Sequence, residues 1–124
     1  MKNYQFPFEK LLVWNKSIDL VKSIYRKTNS FPKEEKYGLT SQIKRCAVSV
    51  ASNIAEGTSR MTPRDQSHFS VIAYSSLMEL TNQLIIAKEL GFLDFEQYNE
   101  IRSHTEEVSR MLSALRKAQI KSSS

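Results

Sequence analysis

The sequence predicts an all-α fold: an antiparallel, up-down-up-down four-helix bundle forming a single domain over residues 1–124. Three observations predict it. Apolar residues recur at steps of three and four over four long stretches, which puts them on one face of a helix. Glycine and proline are scarce, three of each, and scarce punctuation favours long helices over many short strands. The breaks between stretches are short, apart from the Phe31–Lys36 connection, and short connections join antiparallel neighbours.

The first helix is predicted over about 9–29. Leu11, Trp14, Ile18, Val21 and Tyr25 form its stripe, and Val13, Leu20 and Ile24 widen it enough to meet more than one neighbour. Asn29-Ser30-Phe31-Pro32 ends it, because the residue before a proline is pushed out of the α region. The second helix is predicted over about 34–56. Its stripe is Leu39, Ile43, Ala47, Val50 and Ile54, Glu34 and Glu35 sit at its positive dipole end, and Gly57 suits a left-handed closing position. Cys46, Ala47, Ser49, Ala51, Ser52 and Ala55 are all small and would let another helix approach closely.

The third helix is predicted over about 63–90. Thr62 is its N-cap, Pro63 opens its first turn, and Asp65 stands at the third position. Phe69, Ile72, Ala73, Ser76, Leu77, Leu80, Leu84 and Ala87 carry the period, Lys88 falls in the last turn and Gly91 stops it. The fourth is predicted over about 95–120. Asp94 and Gln97 match a capping box, with Leu93 and Tyr98 at the positions of a hydrophobic staple. Tyr98, Ile101, Thr105, Val108, Leu112 and Leu115 alternate steps of three and four, the spacing of left-handed bundle packing. Residues 121–124 are expected to form a flexible tail.

Composition bounds the function. A chain of 124 residues, 40% apolar and 25% charged, can bury a core without disulfides or a metal. The single cysteine, Cys46, cannot form an internal disulfide and reads as a small buried apolar residue. Pro7, Glu9, Lys10, Asn15 and Lys16 interrupt any signal-peptide core, and no apolar stretch approaches the roughly 18 residues that span a bilayer. The expectation is a cytoplasmic protein with no membrane partner.

No catalytic, cofactor or metal site is expected. A di-iron bundle needs Glu-x-x-His on two helices. Here Asp65 and His68 come nearest, but Asp65 is better spent as a cap, and Glu100 with His104 makes only two ligands. There is no Gly-x-Ser-x-Gly elbow and no phosphate-binding glycine loop.

Two surface features remain. Gln42, Ser49, Asn53 and Glu56 fall on one face of the second helix, with Arg45 and Ser52 beside them. They read either as a hydrogen-bonding seam that fixes packing or lines a subunit interface, or as a solvated face. The net charge is +5, which points weakly to a polyanionic partner such as RNA or DNA. Lys44, Arg45, Arg60 and Arg64 are the candidate contacts, with Lys22, Arg26 and Lys27 on the first helix; each also reads as a solvated charge.

Several strings carry a resemblance: Leu12-Val13-Trp14-Asn15-Lys16, Phe31-Pro32-Lys33-Glu34-Glu35, Tyr37-Gly38-Leu39-Thr40-Ser41-Gln42-Ile43-Lys44-Arg45, Val48-Ser49-Val50-Ala51-Ser52-Asn53-Ile54-Ala55-Glu56-Gly57, and the later run Glu79-Leu80…Leu90-Gly91. Together they resemble the four-helix bundle proteins encoded in intervening sequences of bacterial 23S rRNA genes. The resemblance runs from about Tyr4 to Met111. It implies an antiparallel bundle and a homo-oligomer, a ring of five. The accessory proteins of diversity-generating retroelements, which associate with a reverse transcriptase and nucleic acid, are similar in fold. The family has no settled activity, so the resemblance implies structural roles, not catalytic ones, for Trp14, Tyr37, Gly38, Ser41, Gln42, Arg45, Ser52, Asn53, Glu56 and Gly57. Two features depart from its pattern. Cys46 and Ala51 stand where alanine and often proline are expected, and Thr58-Ser59-Arg60-Met61 is looser than the basic, glycine-containing turn expected there. The functional expectation is a non-enzymatic, RNA-associated homo-oligomer. The alternative is a protein-interaction scaffold or accessory subunit with no nucleic-acid contact.

Overall fold

Four helices make up the computed structural model, which describes residues 3–122: α1 (Leu12–Lys27), α2 (Leu39–Thr58), α3 (Pro63–Glu89) and α4 (Phe95–Ser122), with no strand among the described residues. α1 packs on α2, α2 on α3, α3 on α4, and α4 closes back on α1. Cross-helix pairs fix the directions. Ser49 meets Ser76 while Gln42 meets Gln83, so advancing along α2 means retreating along α3. Lys16 pairs with Glu107 and Lys27 with Glu100, which makes α1 and α4 antiparallel as well. No helix among the described residues is long and apolar enough to cross a membrane.

The starts of α3 and α4 follow their sequence signals. Thr62 Oγ1 accepts from the Asp65 N–H at 3.2 Å. Asp94 and Gln97 exchange hydrogen bonds of 2.8 and 3.0 Å, a complete capping box. α3 ends in a Schellman motif: Gly91 takes φ +80°, its N–H donates to the Lys88 carbonyl, and Phe92 N–H donates to the Ala87 carbonyl.

The other boundaries differ from expectation. Helix α1 starts at Leu12, because Pro7–Lys10 forms a separate 3-10 turn and Leu11 is extended. It ends at Lys27, where Thr28 Oγ1 donates to the Ile24 carbonyl and a second 3-10 turn begins. Helix α2 starts at Leu39, since Lys33–Glu35 is again an isolated 3-10 turn; Glu35 still accepts from the Leu39 N–H at 3.2 Å. Helix α4 runs on through Lys121 and Ser122, two residues past the predicted end and into the expected tail. No glycine or proline stops it there, and Ser122 Oγ donates back to the Ala118 carbonyl. Ser123 and Ser124 lie outside the described residues.

Gly57 is also corrected. It does not close α2 in a left-handed conformation; it lies inside the helix and is buried. A Cβ built there would sit 2.8 Å from Phe69 Cβ and 3.3 Å from the Gln66 carbonyl oxygen. Its missing side chain makes room there for Phe69 and the backbone of α3.

The core is built from Leu20 and Ile24 of α1, Ile43, Ala47, Val50 and Ile54 of α2, Leu77, Leu80 and Leu84 of α3, and Ile101, Val108 and Leu112 of α4. The α1 face is rotated from the predicted stripe. Val13, Ser17, Leu20, Ser23 and Ile24 point inward, whereas Trp14 and Val21 are half-buried and Tyr25 is exposed. Small Ser17 and Ser23 let the backbone approach, and the wider apolar sector turns toward α2 instead.

Candidate nucleic-acid interface

The polar residues of α2 do not form one surface. Gln42 and Ser49 turn toward α3 within the same chain: Ser49 Oγ lies 2.9 Å from Ser76 Oγ, and Gln83 Nε2 reaches Gln42 Oε1 at 3.5 Å. Asn53 folds back, its amide donating to the Ser49 carbonyl and hydroxyl. Glu56 salt-bridges Arg60 at 2.8 Å. Ser52 instead faces the opposite neighbour, in an apolar groove with Trp14, Ile18 and Val21 of α1 and Val48, Ala51 and Ala55 of α2. The groove continues to the N-terminal turn, where Phe6 and Phe8 border a cleft of about 420 Å³ with Ser52, Ala55 and Glu56.

The four candidate cations are likewise dispersed. Lys44 Nζ lies 4.8 Å from the Tyr25 ring centroid, and Arg45 is exposed. Lys44 and Arg60 are sixteen residues apart on one helix and its cap, about 24 Å at 1.5 Å per residue. Arg60 is engaged twice, by Glu56 and by the Phe69 ring at 4.5 Å. Arg64 is exposed in the first turn of α3. Of the α1 cations, Lys27 is held by Glu100 at 2.8 Å. That hydrogen bond, reinforced by the charge of Lys27, pulls the Glu100 carboxyl below the usual glutamate range.

A different set of cations stands together. After Glu107, α4 carries Arg110, Arg116, Lys117 and Lys121 and no acidic residue. Ser70 Oγ donates to Gln119 Oε1 at 2.7 Å, so this end of α4 lies beside the first turns of α3, where Arg64 projects. No carboxylate pairs with Arg110, Arg116 or Lys117 among the described residues. The N-terminal half of α4 is different: Arg102 donates to Tyr98 Oη at 2.7 Å and pairs with Glu106 at 3.1 Å. The Tyr98 bond chiefly raises the Arg102 pKa. The signal for the basic half was present in the sequence as the absence of acids beyond Glu107. It is easily missed because the cations are spaced along a helix rather than run together.

The remaining reactive groups are quiet. Burial pushes the Cys46 thiol up, and the Glu79 carboxylate beside it adds to the rise. Asp65 is placed by its N–H in the cap of α3, and no group of three His, Cys, Asp or Glu residues able to hold a metal occurs among the described residues.

The sequence model for the 23S rRNA-intervening sequence protein matches residues 9–114. Among solved structures, the chain is similar to a protein of unknown function from the S23 ribosomal protein family of Bacteroides thetaiotaomicron VPI-5482, with 22% identity and a TM-score of 0.77, covering 86% of this chain and 99% of that one. At that identity the likeness concerns the fold. No curated protein matches the chain.

Proposed function

Since this chain belongs to the 23S rRNA-intervening sequence protein family, we propose that it is a non-enzymatic, RNA-associated helical bundle acting in the cytoplasm as a homo-oligomer. The observation that carries the RNA reading is the acid-free half of α4. Between Val108 and Ser122 the helix carries no acidic residue, and Arg110, Arg116 and Lys117 have no carboxylate partner among the described residues. Cations left unpaired at one end of a bundle attract a polyanion more than the net charge suggests, because local charge and not the total sets the field. In an oligomer, several such ends would act on one RNA together.

The homo-oligomer reading is supported by the apolar α1–α2 groove. Tyr4 is 75% and Phe6 56% exposed at one end, and the exposed Val48 lines the other. A contiguous apolar surface on a small protein marks an interaction site. The same groove supports the second reading, a scaffold for another protein.

The test is binding of a labelled structured RNA across a salt series, with mass fixed by light scattering. Affinity should fall steeply and linearly in log–log form as salt rises. Affinity unaffected by salt, or no binding at low salt, would leave the scaffold reading. Val48→Asp should lower the measured mass; a mass unchanged by it would remove the groove from self-association.

A further inference from the structure

We propose that the groove between α3 and α4 binds a single strand of RNA, its phosphates held by Arg116 and Lys117 and a base placed against Tyr74. This rests on the RNA-associated reading and gives that reading a location and a form of ligand.

Two clefts lie end to end in this groove and share Tyr74. One, of about 440 Å³, has Val71 and Leu112 in its lining, Ser70, Ser75 and Ser113 as hydroxyls, and Arg116 and Lys117 as cations. The other, of about 350 Å³, runs past Met78 and Ser109 toward Arg102 and Glu106. The groove is therefore polarised. At its α4 N-terminal end the cation is neutralised, since Arg102 pairs with Glu106. At its α4 C-terminal end Arg116 and Lys117 are exposed and without a carboxylate partner. Arg110 continues the basic rim seven residues before Lys117, about 10 Å along the helix.

The shape selects among polyanions. Packed helices with axes roughly 8–10 Å apart leave a surface groove about one strand wide between their rims. A duplex would reach the exposed Arg116 and Lys117 from the rims but could not bring a base down to the half-buried Tyr74. Single strands are held elsewhere by a positive groove that follows the backbone together with an aromatic side chain that receives a base. Tyr74 fits that part: it is half-buried against the core, and no hydrogen bond or ring contact among the described residues occupies it. A run of acidic side chains alone would satisfy the cations but would bring no flat group to the clefts that meet at the ring.

The experiment measures binding of the full chain to an unstructured single-stranded RNA, a duplex RNA of equal length, and polyglutamate, all at low salt. Two double variants carry the same charge change: Arg116→Glu with Lys117→Glu in the groove, and Lys33→Glu with Lys36→Glu on exposed positions of the connection between α1 and α2. The groove pair should weaken single-strand binding at least tenfold and reduce its log–log salt slope by about 1.4, the loss of two phosphate contacts. The pair in the connection should change it less than threefold. Tyr74→Leu should weaken it between about five- and a hundredfold with the salt slope unchanged. Equal weakening by the two charge-reversed pairs would overturn the groove while leaving RNA association standing. So would duplex binding as tight as single-strand binding. Polyglutamate bound as tightly, with the same sensitivity to the groove pair, would make this an acidic-protein site instead. No RNA bound by the unaltered protein at low salt would overturn both readings.

Discussion

One hydrogen atom decides how close α3 can lie to α2. At most exposed helix positions, replacing glycine by alanine gains roughly 1 kcal/mol, because alanine loses less backbone freedom on folding. Gly57 is buried inside α2, and the added methyl carbon would stand 2.8 Å from Phe69 Cβ. That neighbour is bonded directly to backbone and cannot swing away, so one helix must move. Overpacking of this kind costs about 1–3 kcal/mol, enough to exceed the propensity gain. Gly57→Ala should therefore lower stability by about 1 kcal/mol in urea unfolding, while Ser52→Ala, exposed on the same helix, should raise it by a few tenths. A stabilised Gly57→Ala would mean the helices separate freely at this crossing. The sequence marked Gly57 as a position needing glycine but suggested a left-handed cap. A glycine followed by a polar turn satisfies the capping pattern whether or not the helix continues, and only the position of Phe69 on another helix distinguishes the two.

Between helices, the α2–α3 contact mixes apolar packing with a seam that is only partly satisfied. Gln83 is buried, 5% exposed; its amide nitrogen makes a long bond to Gln42, its side chain also meets the Cys46 thiol, and Oε1 has no partner among the described residues. Burying an unmet acceptor costs about 1–3 kcal/mol, more than one 3.5 Å bond returns. Gln83→Met, close in volume and flexible enough to fill the space, should raise stability by about 1 kcal/mol with the bundle unchanged. A loss of stability instead would show that the amide is tied more firmly than its geometry indicates. Buried Gln83 and Ser70 escaped the sequence reading because periodicity counts apolar residues and passes over polar ones that turn inward. The same logic rotated α1. Nine apolar residues from Leu11 to Tyr25 cover more than half the helix circumference, so the pattern finds the helix but not which edge faces the core. Buried Ser17 and Ser23 identify the true face only after the neighbours are in place. The starts of α3 and α4 were legible because their caps are local. Those of α1 and α2 were not, because Pro7–Lys10 and Lys33–Glu35 stop after one turn and proline permits a 3-10 turn as readily as a helix.

Over the whole molecule, the paired and the unpaired charges are separated along the bundle. Candidate contacts chosen one residue at a time fell on Arg60 and Lys44, which the fold engages with Glu56, Phe69 and Tyr25. The cations left over on α4 become a site only when α3 lies beside them, a relation between residues some forty positions apart that no local pattern records. Folding brings Arg110, Arg116 and Lys117 onto one rod and sets Arg64 near its end, whereas the unfolded chain holds them farther apart. The native state therefore carries a repulsion that salt screens, since the Debye length shrinks from about 30 Å at 0.01 M to about 8 Å at 0.15 M. Against this, salt also weakens the attractive pairs such as Lys16–Glu107 and Arg60–Glu56, but these are exposed and each contributes little. The repulsive part is expected to win. The thermal midpoint should rise by about 2 °C between 0.01 and 0.15 M sodium chloride, which corresponds to roughly 0.5 kcal/mol for a chain of this size. In Arg116→Glu, where the strip gains a negative charge well before the last turn of α4, that rise should vanish even as RNA affinity falls. A midpoint that drops with salt in the unaltered protein would mean that the surface ion pairs outweigh the basic strip, and that the cations of α4 lie too far apart to act as one surface.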